Sequence, residues 1–237
     1  MRLDKFLSEA GIGTRSQVKS YIKKGLITIN QEKASKPEIK VNIENDIVRF
    51  NGEQVEYVQF EYIMLNKPKD CVSATVDNVS TTVIELIEDK KREDLFPVGR
   101  LDKDTEGLLI ITNDGELSHN MLSPRKHVDK TYYATIDGLV NESDVELFAK
   151  GLDIGDEKLT LPANLKILKS DTISEIELTI QEGRFHQVKR MFEAVDKKVL
   201  SLKRIAMGGL MLDASLEPGE YRRLTKEELT ILRRTQC

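Results

Sequence analysis

The sequence predicts an α+β protein, in which a small N-terminal domain precedes a larger domain with a mixed, largely antiparallel sheet flanked by helices. The length of 237 residues is sufficient for one substantial core and a small additional module. The predicted strands outnumber the helices, and some follow one another directly, which favours antiparallel pairing. We therefore divide the chain into a first domain over residues 1–58 and a second domain over residues 59–237.

The first domain is expected to begin with two short helices. The first covers residues 3–10 and is stopped by the glycines that follow it. The second begins after Thr14, whose side chain can cap the helix while Gln17 returns the hydrogen bond in a capping box. Gly25 provides a suitable end for this helix.

A small sheet and a linker are predicted after these helices. Strands are expected over residues 26–29 and 47–50, and the second closes on Asn51-Gly52, a strong hairpin signal. Residues 53–61 are interpreted as the linker between the domains.

The second domain combines strands with a few capped helices. A strand of residues 62–65 comes first, and a charged segment over residues 82–94 is interpreted as a surface helix. Further strands are predicted over 108–111, 133–136 and 173–180, and helices over 141–150, around 188–195 and after Thr225, where Glu228 completes a capping box.

Composition narrows the class of protein. No apolar stretch approaches the roughly 20 residues of a membrane-spanning helix, and the N-terminus is charged from its second residue, unlike a signal peptide. Only Cys71 and Cys237 occur, without a metal-binding spacing or a disulfide pattern. We therefore expect a cytoplasmic protein.

The distribution of charge suggests a polyanionic partner, although the net charge is −4. Residues 1–40 contain nine basic against four acidic side chains, and residues 183–204 contain seven against two. Two basic patches on an acidic chain favour a directed binding surface for nucleic acid. The alternative is that these side chains are simply solvated.

The central segment, residues 96–115, places an acidic turn before an uninterrupted aliphatic strand and reads FPVGRLDKDTEGLLIITNDG. A buried strand can hold the preceding turn rigidly, so that the turn presents a reactive side chain. Asp102 is our candidate for that side chain. The pattern alone also allows Asp102 and Asp104 to bond only the local backbone.

A calcium loop is a further interpretation of this turn. Asp102, Asp104, Glu106 and Gly107 occupy positions one, three, five and six of the EF-hand pattern. Asn113, however, stands where the pattern requires a bidentate glutamate. None of the three histidines has a second one at metal-ligand spacing, and we assign no metal.

The string GRLDKDTEGLLIITNDG resembles the signature of the pseudouridine synthases, specifically the RsuA family that isomerises single uridines of ribosomal RNA. The resemblance continues through residues 130–132 (KTY), 182–192 (EGRFHQVKRMF) and 218–225 (PGEYRRLT). It implies that Asp102 is the catalytic residue and that no cofactor is required. Asp102 would attack C1′ or remove the 2′ proton, and the sequence does not choose between these roles.

The same resemblance implies roles for four other residues. Lys189, with Arg190 as the second choice, would be the basic partner that keeps Asp102 ionised. Tyr132 would stack on the target base, and Arg100 would fill the gap left by the flipped-out nucleotide or bind the adjoining phosphate. From the residues alone, Lys189 could equally contact a phosphate or lie on a solvated face, and Tyr132 could belong to the core.

Residues 1–55 resemble the S4 RNA-binding module, which has an αL-like fold of two helices and a small sheet. This resemblance implies that Arg2, Arg15, Lys19 and Lys23 contact RNA phosphates. Such contacts give affinity and orientation and do not read sequence.

The family resemblance is strongest to the branch that modifies one uridine of 16S ribosomal RNA, because of EGRFHQVKRMFEAV and the short segment after PGEYRRLT. The alternatives are a 23S ribosomal RNA enzyme of the same family and a non-catalytic RNA-binding factor for ribosome assembly. We expect a monomer whose partner is 16S ribosomal RNA or a small-subunit assembly intermediate. Asp70 stands where relatives usually carry glycine, which tolerates positive φ, and Asp is among the few residues that can follow it there at modest cost.

Overall fold

The computed structural model describes residues 1–234, which divide into two compact units. The first unit contains residues 1–61 together with residues 88–95. The second contains residues 62–87 and the chain from residue 96 onward. Cys237 lies outside the described residues, and the domain boundary expected near residue 58 stays a prediction.

The first unit packs two helices and a four-stranded antiparallel sheet around one core. Its order is α1 Leu3–Glu9, α2 Arg15–Lys23, β1 Ile27–Ile29, β2 Glu32–Lys33, β3 Val48–Phe50 and β4 Glu53–Gln54, with strand order β2-β1-β3-β4. Thr14 and Gln17 form the expected capping box. Asn51 and Gly52 both have positive φ in the predicted hairpin turn.

The linker predicted over residues 53–61 is wrong at its N-terminal end. Glu53–Gln54 is a strand, because the hairpin turn returns the chain onto β3. The ring of Tyr57 then stacks on Phe6 with centroids 4.9 Å apart, and its hydroxyl donates to Glu9. Val55 and Tyr57 therefore pack against the core of the first unit.

The second unit is built on a nine-stranded mixed sheet. Its elements are β5 Tyr62–Lys67, β6 Phe96–Pro97, β7 Glu106–Thr112, α3 Gly115–Leu122, a 3₁₀ turn Pro124–Lys126, β8 Lys130–Asp137, α4 Glu142–Lys150, β9 Asn164–Lys169, β10 Ile173–Ile180, α5 Gln187–Glu193, β11 Lys198–Met207, β12 Leu210–Met211, β13 Tyr221–Arg223 and α6 Lys226–Arg234. The order is β13-β5-β7-β11-β8-β10-β9, with β6 on β7 and β12 on β11. Among the described strands, only β7 and β11 pair in parallel, which confirms the predicted fold class.

The helix predicted over residues 82–94 is wrong. Thr82 and Glu85 exchange the hydrogen bonds of a capping box, but the chain continues as turns. From Glu88 onward the segment belongs to the first unit, where the buried Arg92 pairs with Glu9 at 3.1 Å and Asp94 at 2.7 Å. The long-range pair with Glu9 and the local pair with Asp94 both form while this segment follows an irregular path rather than a continuous helix.

The aliphatic run at residues 108–111 lies in the middle of the sheet. All four side chains are fully buried, and β7 pairs with β5 on one side and with β11 on the other. An interior strand of this kind gives a rigid attachment point for the loop that precedes it. No described helix is long and apolar enough to cross a membrane.

Candidate active site

Asp102 lies in the loop between β6 and β7, and the loop backbone is held by buried side chains. The hydroxyl of Ser73 accepts a hydrogen bond from the amide of Leu101 at 3.0 Å and donates to the Leu101 carbonyl at 2.9 Å. The amide of Thr105 donates to the carbonyl of Asp102, which closes a tight turn. The catalytic candidate is thus fixed by its neighbours on both sides.

Lys67, the last residue of β5, is fully buried beneath this loop. Its ammonium group donates to the carbonyls of Pro68 at 2.9 Å, Lys103 at 3.3 Å and Thr105 at 2.9 Å. Burial lowers the pKa of Lys67. Asp70, whose amide also bonds the Lys103 carbonyl, has a φ of +62°, in the region that favours glycine.

Lys67→Met is expected to loosen this loop and to destabilise the protein. The substitution removes the donor that links the carbonyls of Pro68, Lys103 and Thr105, of which only that of Lys103 is also bonded by the Asp70 amide. We expect a loss of about 2 kcal/mol or more in the free energy of unfolding. The measurements are chemical denaturation and single-turnover activity. Lys69→Met is the matched control, because Lys69 is exposed and makes one 3.6 Å ion pair with Glu106. Equal stability losses in the two variants would contradict this account.

Helix α5 and His186, the residue just before it, bring two basic groups to the carboxylate of Asp102. The Nζ of Lys189 lies 3.5 Å from one carboxylate oxygen, and the Nε2 of His186 lies 3.6 Å from the other. Lys189 also binds Asp104 at 2.7 Å and thereby lowers the pKa of that carboxyl. The side chain of Asp102 is 30% exposed, so a ligand can reach it.

Asp102 faces a cleft with two lobes. The narrow lobe, of about 80 Å³, is lined by Thr105, Ile180, Val188, Lys189 and Leu202. The wide lobe, of about 640 Å³, is lined by Val72, Leu122, Lys130, Phe185 and Arg204. Asp102, Tyr132 and Arg100 line both lobes. The wide lobe has the size of a typical ligand pocket.

The other predicted site residues differ in their positions. Tyr132 is 8% exposed and forms part of the wall of the cleft beside Asp102. Arg100 is exposed at the edge of the cleft. The second choice for the cation, Arg190, does not lie beside Asp102, because its guanidinium binds Asp156 and the carbonyls of Phe185 and Ile154. The structure therefore brings Asp102, Lys189, Tyr132 and Arg100 together, and their roles stay predictions.

The predicted basic patch over residues 183–204 is largely neutralised in the fold. Arg184 and Arg190 both pair with Asp156, and Lys197 pairs with Asp144. Arg204 is buried. A count of charges along one segment cannot detect carboxylates that come from distant segments. The excess of basic over acidic residues in this segment therefore overstated its exposed positive charge.

The N-terminal candidates are arranged differently. Arg15, Lys19 and Lys23 are exposed at four-residue spacing on α2 and thus follow one helix face. No described residue forms an ion pair with these three side chains within 4.0 Å. Arg2 instead binds Asp4 at 2.8 Å, a contact that lowers the pKa of Asp4. These three side chains form a basic stripe on α2, and they are better placed than Arg2 to bind RNA phosphates.

Two buried cations in the wide lobe were not among the predicted site residues. Lys130 is 8% exposed and donates to the carbonyl of Val128, and Arg204 is 2% exposed and donates to the carbonyl of Leu108. Burial, together with the positive charge of Arg204, lowers the pKa of Lys130 to about 8. The position of Lys130 two residues before Tyr132 was the available sequence signal.

Lys130 is expected to make stability depend on pH in the alkaline range. Because its pKa falls from 10.5 to about 8 on folding, the unfolded chain binds more protons between these values, so stability rises with pH. From pH 8 to 10 this gain should be about 2 kcal/mol, and Lys130→Met should remove it. Chemical denaturation at both pH values tests this, with the exposed Lys166→Met as control. An unchanged gain in Lys130→Met would contradict the prediction.

The described residues contain no group of three or more His, Cys, Asp or Glu side chains that could hold a metal ion. The cleft presents a carboxylate, an adjoining cation and an aromatic side chain to a ligand.

Comparison with known families agrees with this arrangement. The family described as RNA pseudouridylate synthase matches residues 61–194, and the S4 domain matches residues 1–48. The chain belongs to the RNA pseudouridine synthase family and is an enzyme of that class.

Individual relatives cover nearly the whole chain. A Bacillus subtilis (strain 168) protein described as uncharacterized RNA pseudouridine synthase YtzG is 44% identical over an alignment of 239 positions, which covers 100% of both chains. The ribosomal small subunit pseudouridine synthase A of Escherichia coli (strain K12) is 40% identical over 97% of this chain and 98% of its own. A crystal structure of a pseudouridylate synthase, 39% identical, covers 98% of this chain and 99% of its own with a TM-score of 0.69.

Proposed function

We propose that this enzyme converts one uridine of small-subunit ribosomal RNA to pseudouridine, with Asp102 acting on a nucleotide that has been turned out of the RNA. The observation that carries the proposal is the cleft that Asp102 and Tyr132 both line, in which the Asp102 carboxylate lies 3.5 Å from Lys189. The choice of ribosomal RNA rests on full-length relatives that bear the name ribosomal small subunit pseudouridine synthase A.

The reaction needs few groups from the protein. The N1–C1′ bond of uridine breaks, the uracil rotates, and C5 bonds to C1′, while C5 loses a proton and N1 gains one. Asp102 would attack C1′ or take the proton from C2′. Lys189, whose Nζ lies 3.5 Å from the carboxylate, would pair with its negative charge. Tyr132 would stack on the uracil and hold it while it turns.

The protein would reach its target through two separate surfaces. The stripe on α2 would bind phosphates without reading sequence and thereby orient the RNA. A base within folded RNA must leave its stack before it can enter a cleft of this kind. Arg100, at the edge of the cleft, would fill the gap or bind the adjoining phosphate.

The experiment that tests the proposal is a map of pseudouridines in ribosomal RNA from cells with and without the gene for this chain. We expect one small-subunit position to lose its modification and to regain it when purified protein acts on that RNA. Loss at a large-subunit position would overturn the choice of substrate. Binding of RNA without any change in the map would favour the non-catalytic alternative.

A further inference from the structure

The wide lobe of the cleft contains two buried positive charges that form no ion pair, although the charge of Asp129 acts on Lys130 from a greater distance. No described carboxylate lies within 4.0 Å of the nitrogens of Lys130 or Arg204. The Nη2 of Arg204 has no hydrogen-bond partner at all. An unpaired buried cation is costly, and two adjacent ones repel each other.

The two cations are held side by side by the sheet. Arg204 on β11 is the register partner of Tyr132 on β8, and Lys130 begins the same strand as Tyr132. Both line the wide lobe together with Asp102. The sheet thus fixes two cations in the cleft that also contains the catalytic candidate.

The proposed function divides the nucleotide between the two lobes. The narrow lobe, with Tyr132 and the apolar Ile180, Val188 and Leu202, suits the uracil ring. The sugar and its phosphates must then extend from Asp102 into the wide lobe. The bases of RNA are uncharged, so its phosphates are its only anionic groups.

We propose that Lys130 and Arg204 form a phosphate-binding site for a phosphodiester group next to the flipped uridine. This inference rests on the proposed function. A phosphate oxygen would accept from the free protons of Lys130, and its charge would offset that of the Arg204 guanidinium. Nucleotide binding would thereby relieve a cost that the free enzyme bears.

The test uses RNA in which a single phosphate is replaced by an uncharged methylphosphonate, on either the 5′ or the 3′ side of the target uridine. The full-length wild-type protein and Lys130→Gln are compared in single-turnover assays on these RNAs and on unmodified RNA. Lys166→Gln is the matched control, because Lys166 is exposed on β9 and pairs with Glu177.

We expect Lys130→Gln to lose about ten- to hundredfold in kcat/KM on unmodified RNA. Wild type should lose a similar factor on one of the two methylphosphonate RNAs. On that RNA, Lys130→Gln should lose little more, because the interaction is already absent. Lys166→Gln should behave as wild type throughout.

The proposal would be overturned if the losses in kcat/KM from Lys130→Gln and from the methylphosphonate multiplied when combined. It would also be overturned if neither methylphosphonate lowered the kcat/KM of the wild type. Arg204→Lys keeps the charge and provides a second variant, which should retain the dependence on the same phosphate. Thermal unfolding of each variant identifies a purely structural defect, which would lower Tm without removing the dependence on that phosphate. If the wild-type protein formed no pseudouridine in unmodified RNA, that result would instead contradict the proposed function.

Discussion

Asp102→Asn is expected to abolish pseudouridine formation, with a loss of about 10⁴-fold or more in the single-turnover rate. An amide has almost the same shape as the carboxylate but can neither attack C1′ nor accept the C2′ proton. The loop should keep its conformation, since its hydrogen bonds come from Ser73 and Lys67. RNA affinity, measured by filter binding, should therefore stay within a few-fold of wild type.

The neighbouring carboxylate provides the matched control for this prediction. Asp104 also contacts Lys189, but its side chain is 67% exposed, whereas that of Asp102 is 30% exposed and lines the cleft. We expect Asp104→Asn to retain most of the activity. If Asp104→Asn were inactive and Asp102→Asn active, the assignment of the catalytic carboxylate would be wrong.

Gly107→Ala is expected to have the largest effect on folding of any substitution near the site. Gly107 has a φ of +104°, and a Cβ there would overlap the carbonyl oxygen of Arg204 and lie 2.8 Å from its amide nitrogen. These are backbone atoms of the adjacent strand β11, so no side chain can move aside. We expect a loss of about 4 kcal/mol or more in the free energy of unfolding, together with loss of activity.

Gly219→Ala is the control that separates backbone strain from steric overlap with a neighbouring strand. Gly219 lies in the same unit and has a φ of +96°, but no atom lies within 4 Å of the position of its Cβ. This variant should lose only about 1 to 2 kcal/mol, the cost of a left-handed conformation. Equal losses in the two variants, measured by chemical denaturation, would show that the approach of the two strands is not the cause.

The parts of the fold that could be predicted from the sequence depend on local chemistry. The run at residues 108–111 has no polar residue and must lie in an interior strand. Capping boxes marked the starts of α2 and α6, where Thr14 pairs with Gln17 and Thr225 with Glu228. Asp70 has a positive φ of +62°, a conformation that short polar side chains tolerate.

The parts that could not be predicted depend on contacts between distant segments. Strand β11 carries Lys198, Lys203 and Arg204, and these charges concealed its place in the middle of the sheet. Residues 82–94 contain apolar residues at helical spacing, but they follow an irregular path in which Arg92 forms an ion pair with a residue of α1. The unpaired cations of the wide lobe become visible only when β8 and β11 are side by side.

The hydrogen bonds by which Ser73 and Lys67 hold the Asp102 loop come from buried side chains, and dissolved ions therefore affect them little. Capture of a polyanion by exposed lysines and arginines, by contrast, weakens steeply as salt is added. Ionic strength should thus act on recruitment and leave the isomerisation step nearly untouched once the nucleotide is seated. An enzyme built in this way can be released from its product by salt without losing the alignment of its reacting carboxylate.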